Sequence, residues 1–159
     1  MLSSEAQNRI KQLNPWMIHP EKAEELISHF LPKEYVTRDI EQTPLQKDRA
    51  MLVIGPRQSG KSTLVWYILC EFTPDIFFLN MEDPLLRAEV VSPFDFVEHM
   101  RGNYPFMKAI SIDEIQHMEE AGLFVKGLVD ARVGMLYLGY GHPPFTLEAG
   151  QENPWQEGP

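Results

Sequence analysis

Cysteine is almost missing from this chain, with Cys70 standing alone among 159 residues. That excludes an intrachain disulfide and a thiolate zinc cluster, and Cys70 itself reads as a packing residue on a helix. Positive charge is also scarce: 14 Lys and Arg face 23 Asp and Glu, a formal net charge of -9. Nucleic-acid binding by general electrostatics needs clustered Lys and Arg to displace counterions, so this balance does not support it. No apolar run approaches the roughly 18 residues of a membrane helix. The start, Met1-Leu2-Ser3-Ser4-Glu5-Ala6, lacks the basic region and apolar stretch of a signal peptide. The expectation is a cytoplasmic chain that makes no membrane contact. Its 43% hydrophobic and 23% charged residues are ordinary for a globular protein, and its length suits one α/β domain.

What the chain does have is Gly55-Pro56-Arg57-Gln58-Ser59-Gly60-Lys61-Ser62-Thr63, a match to G-x-x-x-x-G-K-[ST] directly after the apolar run Met51-Leu52-Val53-Ile54. Leu64, Val65, Ile68, Leu69 and Phe72 follow at helical spacing, which completes the strand, loop, helix order of a phosphate-binding loop. Gly55 and Gly60 permit backbone turns that aim successive N–H groups at phosphate oxygens. The helix beginning there adds unpaired N–H groups and a positive dipole end. Lys61 supplies a mobile charge for the β and γ phosphates, and the Ser62 hydroxyl is placed to ligand Mg²⁺. Residues 55 to 63 are therefore the candidate nucleotide contacts.

The rest of the chain is punctuated by turn and cap signals. Residues before about His19 read as an extended or turning lead-in, partly disordered, and residues 20 to 31 as a helix opened by Pro20 and stopped before Pro32. Residues 33 to 50 read as a connector around Tyr35-Val36. Asp75-Ile76-Phe77-Phe78-Leu79-Asn80 is a second strand run, expected to pair parallel in the same sheet. Asp83-Pro84 and Ser92-Pro93 each look like an N-cap before proline, opening short helices over about 84 to 91 and 93 to 101.

Met107-Lys108-Ala109-Ile110-Ser111-Ile112-Asp113-Glu114 is a third strand run that ends in two carboxylates. Acidic residues often follow strands as helix caps, so the pair means little by itself. Joined to the loop it has the form of a Walker B element, because open α/β sheets bind ligands at the carboxyl ends of their strands. Asp113 would hold Mg²⁺ through its water shell, and Glu114 would orient and deprotonate the attacking water. Glu82 and Asp83 could add to the metal site, with Asp83 more simply a helix cap. One helix is expected from about Ile115 to Arg132, then a strand over Gly134-Met135-Leu136-Tyr137-Leu138. Residues 141 to 159 hold seven Gly or Pro in nineteen and read as a disordered tail.

With both elements placed, the chain resembles predicted bacterial and archaeal P-loop ATPases of the AAA+ type. The resemblance lies in Ile54-Gly55-Pro56-Arg57-Gln58-Ser59-Gly60-Lys61-Ser62, Leu79-Asn80-Met81-Glu82-Asp83-Pro84, Ile112-Asp113-Glu114-Ile115-Gln116 and Lys126-Gly127-Leu128-Val129-Asp130, over about residues 45 to 139. It implies a three-layer α/β/α sandwich with a mainly parallel sheet, a partial AAA+ core, in which the strand after Asp113 inserts between the loop strand and the Asp113 strand. It also implies ATP and Mg²⁺ as cofactors, with a protein partner or a second copy of the chain as company. In such ATPases that inserted strand ends in a Thr or Ser sensor. Here the segment is Tyr137-Leu138-Gly139-Tyr140-Gly141-His142. Tyr140 and His142 are candidate stand-ins near the γ-phosphate, set against the preferred view of them as solvent-exposed loop residues.

The division expected is a lead-in and helix over 1–44, an ATPase core over 45–140 and a tail over 141–159. Since the family continues into a helical lid and a further domain, the chain has the form of a truncated or diverged member. Two functions stay open. One is Mg²⁺-dependent ATP hydrolysis, with Lys61 and the loop on the phosphates, Ser62 and Asp113 on the metal, and Glu114 as base. The other is a nucleotide-binding interaction module with little or no turnover. A gene fragment without a stable fold is a third view. GTP is disfavoured, since no Asn/Thr-Lys-x-Asp segment is present.

Overall fold

Four short apolar runs, rich in β-branched and aromatic side chains, form the strands β1 (Ala50–Ile54), β2 (Ile76–Asn80), β3 (Ala109–Asp113) and β4 (Leu136–Gly141). The computed structural model describes residues 1–33, 46–56 and 60–142. All strand pairs are parallel and their order is β1-β4-β3-β2. β4 thus lies between β1 and β3, as the resemblance implies. The register sets Ile54 beside Gly141, Asp113 beside Tyr140, and Asn80 beside Asp113.

Both sheet faces are covered, which is why the strands read as nearly continuous apolar runs. On one face Phe77, Leu79, Ile110, Ile112 and Tyr137 pack with helices α1 (Ser4–Leu13), α5 (Pro84–Glu89), α6 (Pro93–Asn103) and α7 (Ala121–Asp130). On the other, Ile76, Phe78, Leu136, Leu138 and Tyr140 pack with α2 (Pro15–Ile18), α3 (Ala23–Ser28) and α4 (Lys61–Leu69). This is the expected three-layer α/β/α sandwich. The caps of α5 and α6 form where the sequence places them. Asp83 Oδ1 accepts from Leu85 N at 2.9 Å, and Ser92 Oγ accepts from Asp95 N at 3.3 Å.

Four local expectations are corrected. The lead-in is helical: Ser3 Oγ caps α1 by accepting from Ala6 N at 3.1 Å, and Leu2, Ala6 and Ile10, one helical turn apart, are all buried. The helix over 20 to 31 is a 3-10 turn, Pro20–Lys22, that leads into α3 and stops at Ser28. The single helix over 115 to 132 is a 3-10 turn at Ile115–His117 followed by α7, because Glu114 takes a left-handed conformation with φ 54° and Met118 is extended. β4 starts two residues later and runs further than expected. Gly134 is a turn residue with φ 78°, donating its N–H to Asp48 Oδ1 at 2.7 Å, and Gly141 belongs to the strand rather than to a tail. Of the connector, residues 34 to 45 lie outside the described residues, as do residues 143 to 159 of the tail.

Among the described residues β2 is an edge strand, and edges expose unpaired backbone groups. The segment joining α1 and α2 covers that edge with side chains. Asn14 is fully buried and acts as a local stand-in for a neighbouring strand, with Phe78 N donating to Asn14 Oδ1 at 2.6 Å and Asn14 Nδ2 donating to Phe78 O at 2.9 Å. Trp16 Nε1 donates to Ile76 O at 2.8 Å. Replacing Asn14 by alanine leaves a buried donor and a buried acceptor of Phe78 unpaired, each costing about 1–3 kcal/mol. Asn14→Ala is therefore expected to lower the unfolding free energy in urea by about 2–6 kcal/mol. A loss below about 0.5 kcal/mol would show that water replaces the amide at no cost.

Candidate nucleotide site

Parallel strands bring their carboxyl ends to one end of the sheet, and the two sequence motifs meet there. The loop leaves β1 at Ile54, and Gly55 N donates to Gly141 O at 3.3 Å, which ties its first residue to the end of β4. Gly60, at the N-cap of α4, has φ 78° and ψ 16°, a left-handed conformation that glycine adopts without steric penalty. Lys61 opens α4, with its Nζ donating to the Pro56 carbonyl at 3.1 Å. Ser62 is exposed and Thr63 half-buried on the first turn of the helix. Arg57, Gln58 and Ser59 lie outside the described residues.

Asp113 ends β3, one strand away from Gly141 in the register. Its half-buried carboxyl is raised from the usual range to about 6, by burial first and then by the Glu114 charge. A backbone hydrogen bond from Glu114 opposes this, Glu82 adds to it, and Lys61 opposes it. The metal-ligand expectation for Glu82 and Asp83 separates into two outcomes. Exposed Glu82 sits near enough to act on Asp113, whereas Asp83 caps α5 and pairs with Arg9 at 3.2 Å.

Glu114 follows at φ 54° and ψ 43°, a region that is uncommon for a residue with a side chain. Its Oε2 accepts a hydrogen bond from Gln116 Nε2 and lies 3.2 Å from His142 Nδ1 and 3.8 Å from His117 Nε2. The solvent-loop view of Tyr140 and His142 is overturned. Tyr140 is 1% exposed and packs on the α4 side of the sheet beside Trp66. Burial and then the Asp113 charge push its hydroxyl well above the ordinary range. His142 stays at the carboxyl end against Glu114, with its side chain 19% exposed.

Gln116 is the site residue that local reasoning passes over. It stands in the Ile112-Asp113-Glu114-Ile115-Gln116 stretch, but its partner His142 is 26 positions away, so no nearby pattern signals the contact. Among the described residues no three or more His, Cys, Asp or Glu side chains are arranged to hold a metal ion unaided, and no helix is long and apolar enough to cross a membrane.

Asp113 generates a pH prediction. A carboxyl raised from 3.8 to about 6 on folding contributes stability that is fully present below pH 3.8 and is lost as pH rises through about 6. Without added nucleotide or metal, Asp113→Asn is expected to melt at a higher temperature than the parent at pH 7.5. The gap should close as pH falls towards 4. A gap that is constant across this range would place the Asp113 titration at its ordinary value.

A family model described as an AAA domain matches residues 47–141, more than half of the chain. Among the curated proteins nothing matches. Among solved structures, the chain is similar to PCH-2 of C. elegans at 16% identity and a TM-score of 0.40, and the alignment covers 96% of this chain and 40% of that one. The family match begins just before β1 and ends with the last residue of β4, spanning the phosphate-loop motif, the acidic end of β3 and the whole parallel sheet, and on that match the chain belongs to the AAA+ family of P-loop ATPases.

Proposed function

We propose that this chain binds ATP and hydrolyses it to ADP and phosphate in a Mg²⁺-dependent reaction in the cytoplasm. The observation that carries the reading is the meeting of Gly60 and Lys61 with the Asp113–Glu114 pair at one end of a parallel sheet. The Gly55–Thr63 loop, through those backbone N–H groups that are free to point inward, and the Lys61 ammonium hold the phosphates. Ser62 and Asp113 hold Mg²⁺, which when bound offsets charge on the phosphate oxygens. The donor set fits such an ion. Magnesium keeps several waters and takes one or two protein ligands plus phosphates, so it needs no cage of carboxylates. A cation also suits Asp113, whose ionised form is disfavoured by burial and two neighbouring carboxylates.

Glu114 takes a proton from the attacking water as that oxygen bonds to the γ-phosphorus and the bond to the β–γ bridging oxygen breaks. ADP leaves carrying the electrons of that bond. An arginine from a partner or a second copy of the chain would speed this step by roughly 10³–10⁵. The alternative, a nucleotide-binding interaction module, draws on β4 running into Gly141 and His142 where a Thr or Ser is expected.

Phosphate release from Mg·ATP by the purified chain separates the two. Turnover above a Lys61→Ala blank is expected, with Glu114→Gln keeping nucleotide affinity within about threefold and losing roughly 10²–10⁴ in kcat. Tight nucleotide binding by a folded parent that shows no turnover above the blank would establish the interaction module instead.

A further inference from the structure

Glu114 is held by more than its own backbone. Gln116 Nε2 donates to Glu114 Oε2 and also meets His142 Nδ1 at 3.1 Å. The Gln116 Oε1 accepts from the backbone N–H of His142 at 3.4 Å. His142 Nδ1 lies 3.2 Å from the same carboxylate oxygen, so with a hydrogen on Nδ1 the ring donates to Glu114 Oε2 alongside the Gln116 amide. Glycine at position 141 makes room for this bridge, because a Cβ there would overlap Gln116 Oε1. The amide of Gln116 therefore spans from the turn after β3 to the end of β4, with the Glu114 carboxylate between them. The contacts from Gln116, His142 and His117 all fall on one carboxylate oxygen, Oε2.

We infer that Gln116, seated against Gly141 and braced by His142, is a positioning residue that anchors Glu114 through Oε2 and leaves Oε1 to take the proton from the attacking water. The inference rests on the hydrolysis reading above. It differs from a sensor on the γ-phosphate, because Gln116 acts through Glu114 and not on nucleotide. The left-handed turn at Glu114 sets the direction of the side chain, and the amide bridge stops it from rotating. Misplacement of a catalytic group by about 1 Å is worth about a hundredfold in rate, which sets the expected scale.

The test is a cycle of Gln116→Ala, Gly141→Ala and the double variant, with Gln116→Met as a form that keeps the volume and loses the hydrogen bonds. Each variant is compared with the parent for phosphate release, affinity for a fluorescent ATP analogue, and thermal unfolding. Gln116→Ala and Gln116→Met are expected to lower kcat about ten- to hundredfold with KM for Mg·ATP and nucleotide affinity changed less than threefold. Gly141→Ala should reproduce that loss by displacing the amide. Added to Gln116→Ala it should cost nothing further, since the overlapping group is gone. In ¹H–¹⁵N spectra of the nucleotide-free chain, the Gln116 side-chain amide signals should move in Glu114→Ala.

A kcat within twofold of the parent in Gln116→Met, losses that add in the double variant, or amide signals unmoved by Glu114→Ala would each overturn the inference while leaving hydrolysis intact. A parent without turnover above the Lys61→Ala blank would overturn both together.

Discussion

The constraint on which the rest of the site depends is the insertion of β4 between β1 and β3. Neighbouring strands lie about 4.8 Å apart, so one intervening strand sets the start of the loop and the Asp113 end of β3 roughly 10 Å from each other. On the proposed reading that gap takes phosphate groups, a hydrated cation and a water. What stands in the gap is then decided by the end of β4, which supplies Gly141 and His142. Glycine allows the Gln116 amide to approach the strand closely, and the imidazole that follows reaches Glu114. A larger side chain at 141 would push that bridge away.

The two carboxylates, adjacent in sequence, live in different surroundings. Asp113 is drawn into the sheet end, where burial and like charge disfavour its ionised form. Glu114 turns away through a left-handed backbone step and meets hydrogen-bonding partners. One environment suits a group that waits for a cation, the other a group that must keep its direction. The separation comes from a single backbone reversal, and a continuous helix from Ile115 would have removed it.

The far edge of the sheet is held in a different way. Asn14 and Trp16 complete the hydrogen bonding of β2, and the same tryptophan packs edge-on to Trp66 of α4, with ring centroids 5.7 Å apart. Phe30 stacks on Trp66 at 4.0 Å. Aromatic contacts of this kind add about 0.5–1.5 kcal/mol each beyond area burial. Through them the N-terminal helices steady the helix whose first residue is Lys61, joining the stability of the edge to the geometry of the loop.

The elements most legible in the sequence were those specified locally: the run before Gly55, the Asp83 and Ser92 caps, and the carboxylates after an apolar strand. Their physics is contained within a few residues. The α1 helix is harder to read from sequence, because polar residues dominate between Leu2, Ala6 and Ile10 even though Ser3 and their spacing signal it. The break in the helix after Glu114 is not legible in sequence, because positive φ at a glutamate has no local signature. Motif and periodicity by themselves determined that a strand, a G-x-x-x-x-G-K-[ST] loop and helix, and an acidic strand end belong to one parallel α/β sheet. Only the tertiary structure decided that Tyr140 is buried, that His142 and Gln116 close on Glu114, and that Asn14 seals an edge. The Gln116–Glu114 contact is local, but the Gln116–His142 and Asn14–Phe78 contacts join residues 26 and 64 positions apart, and only the strand order and the pleat, which local sequence does not carry, decide which distant side chains meet.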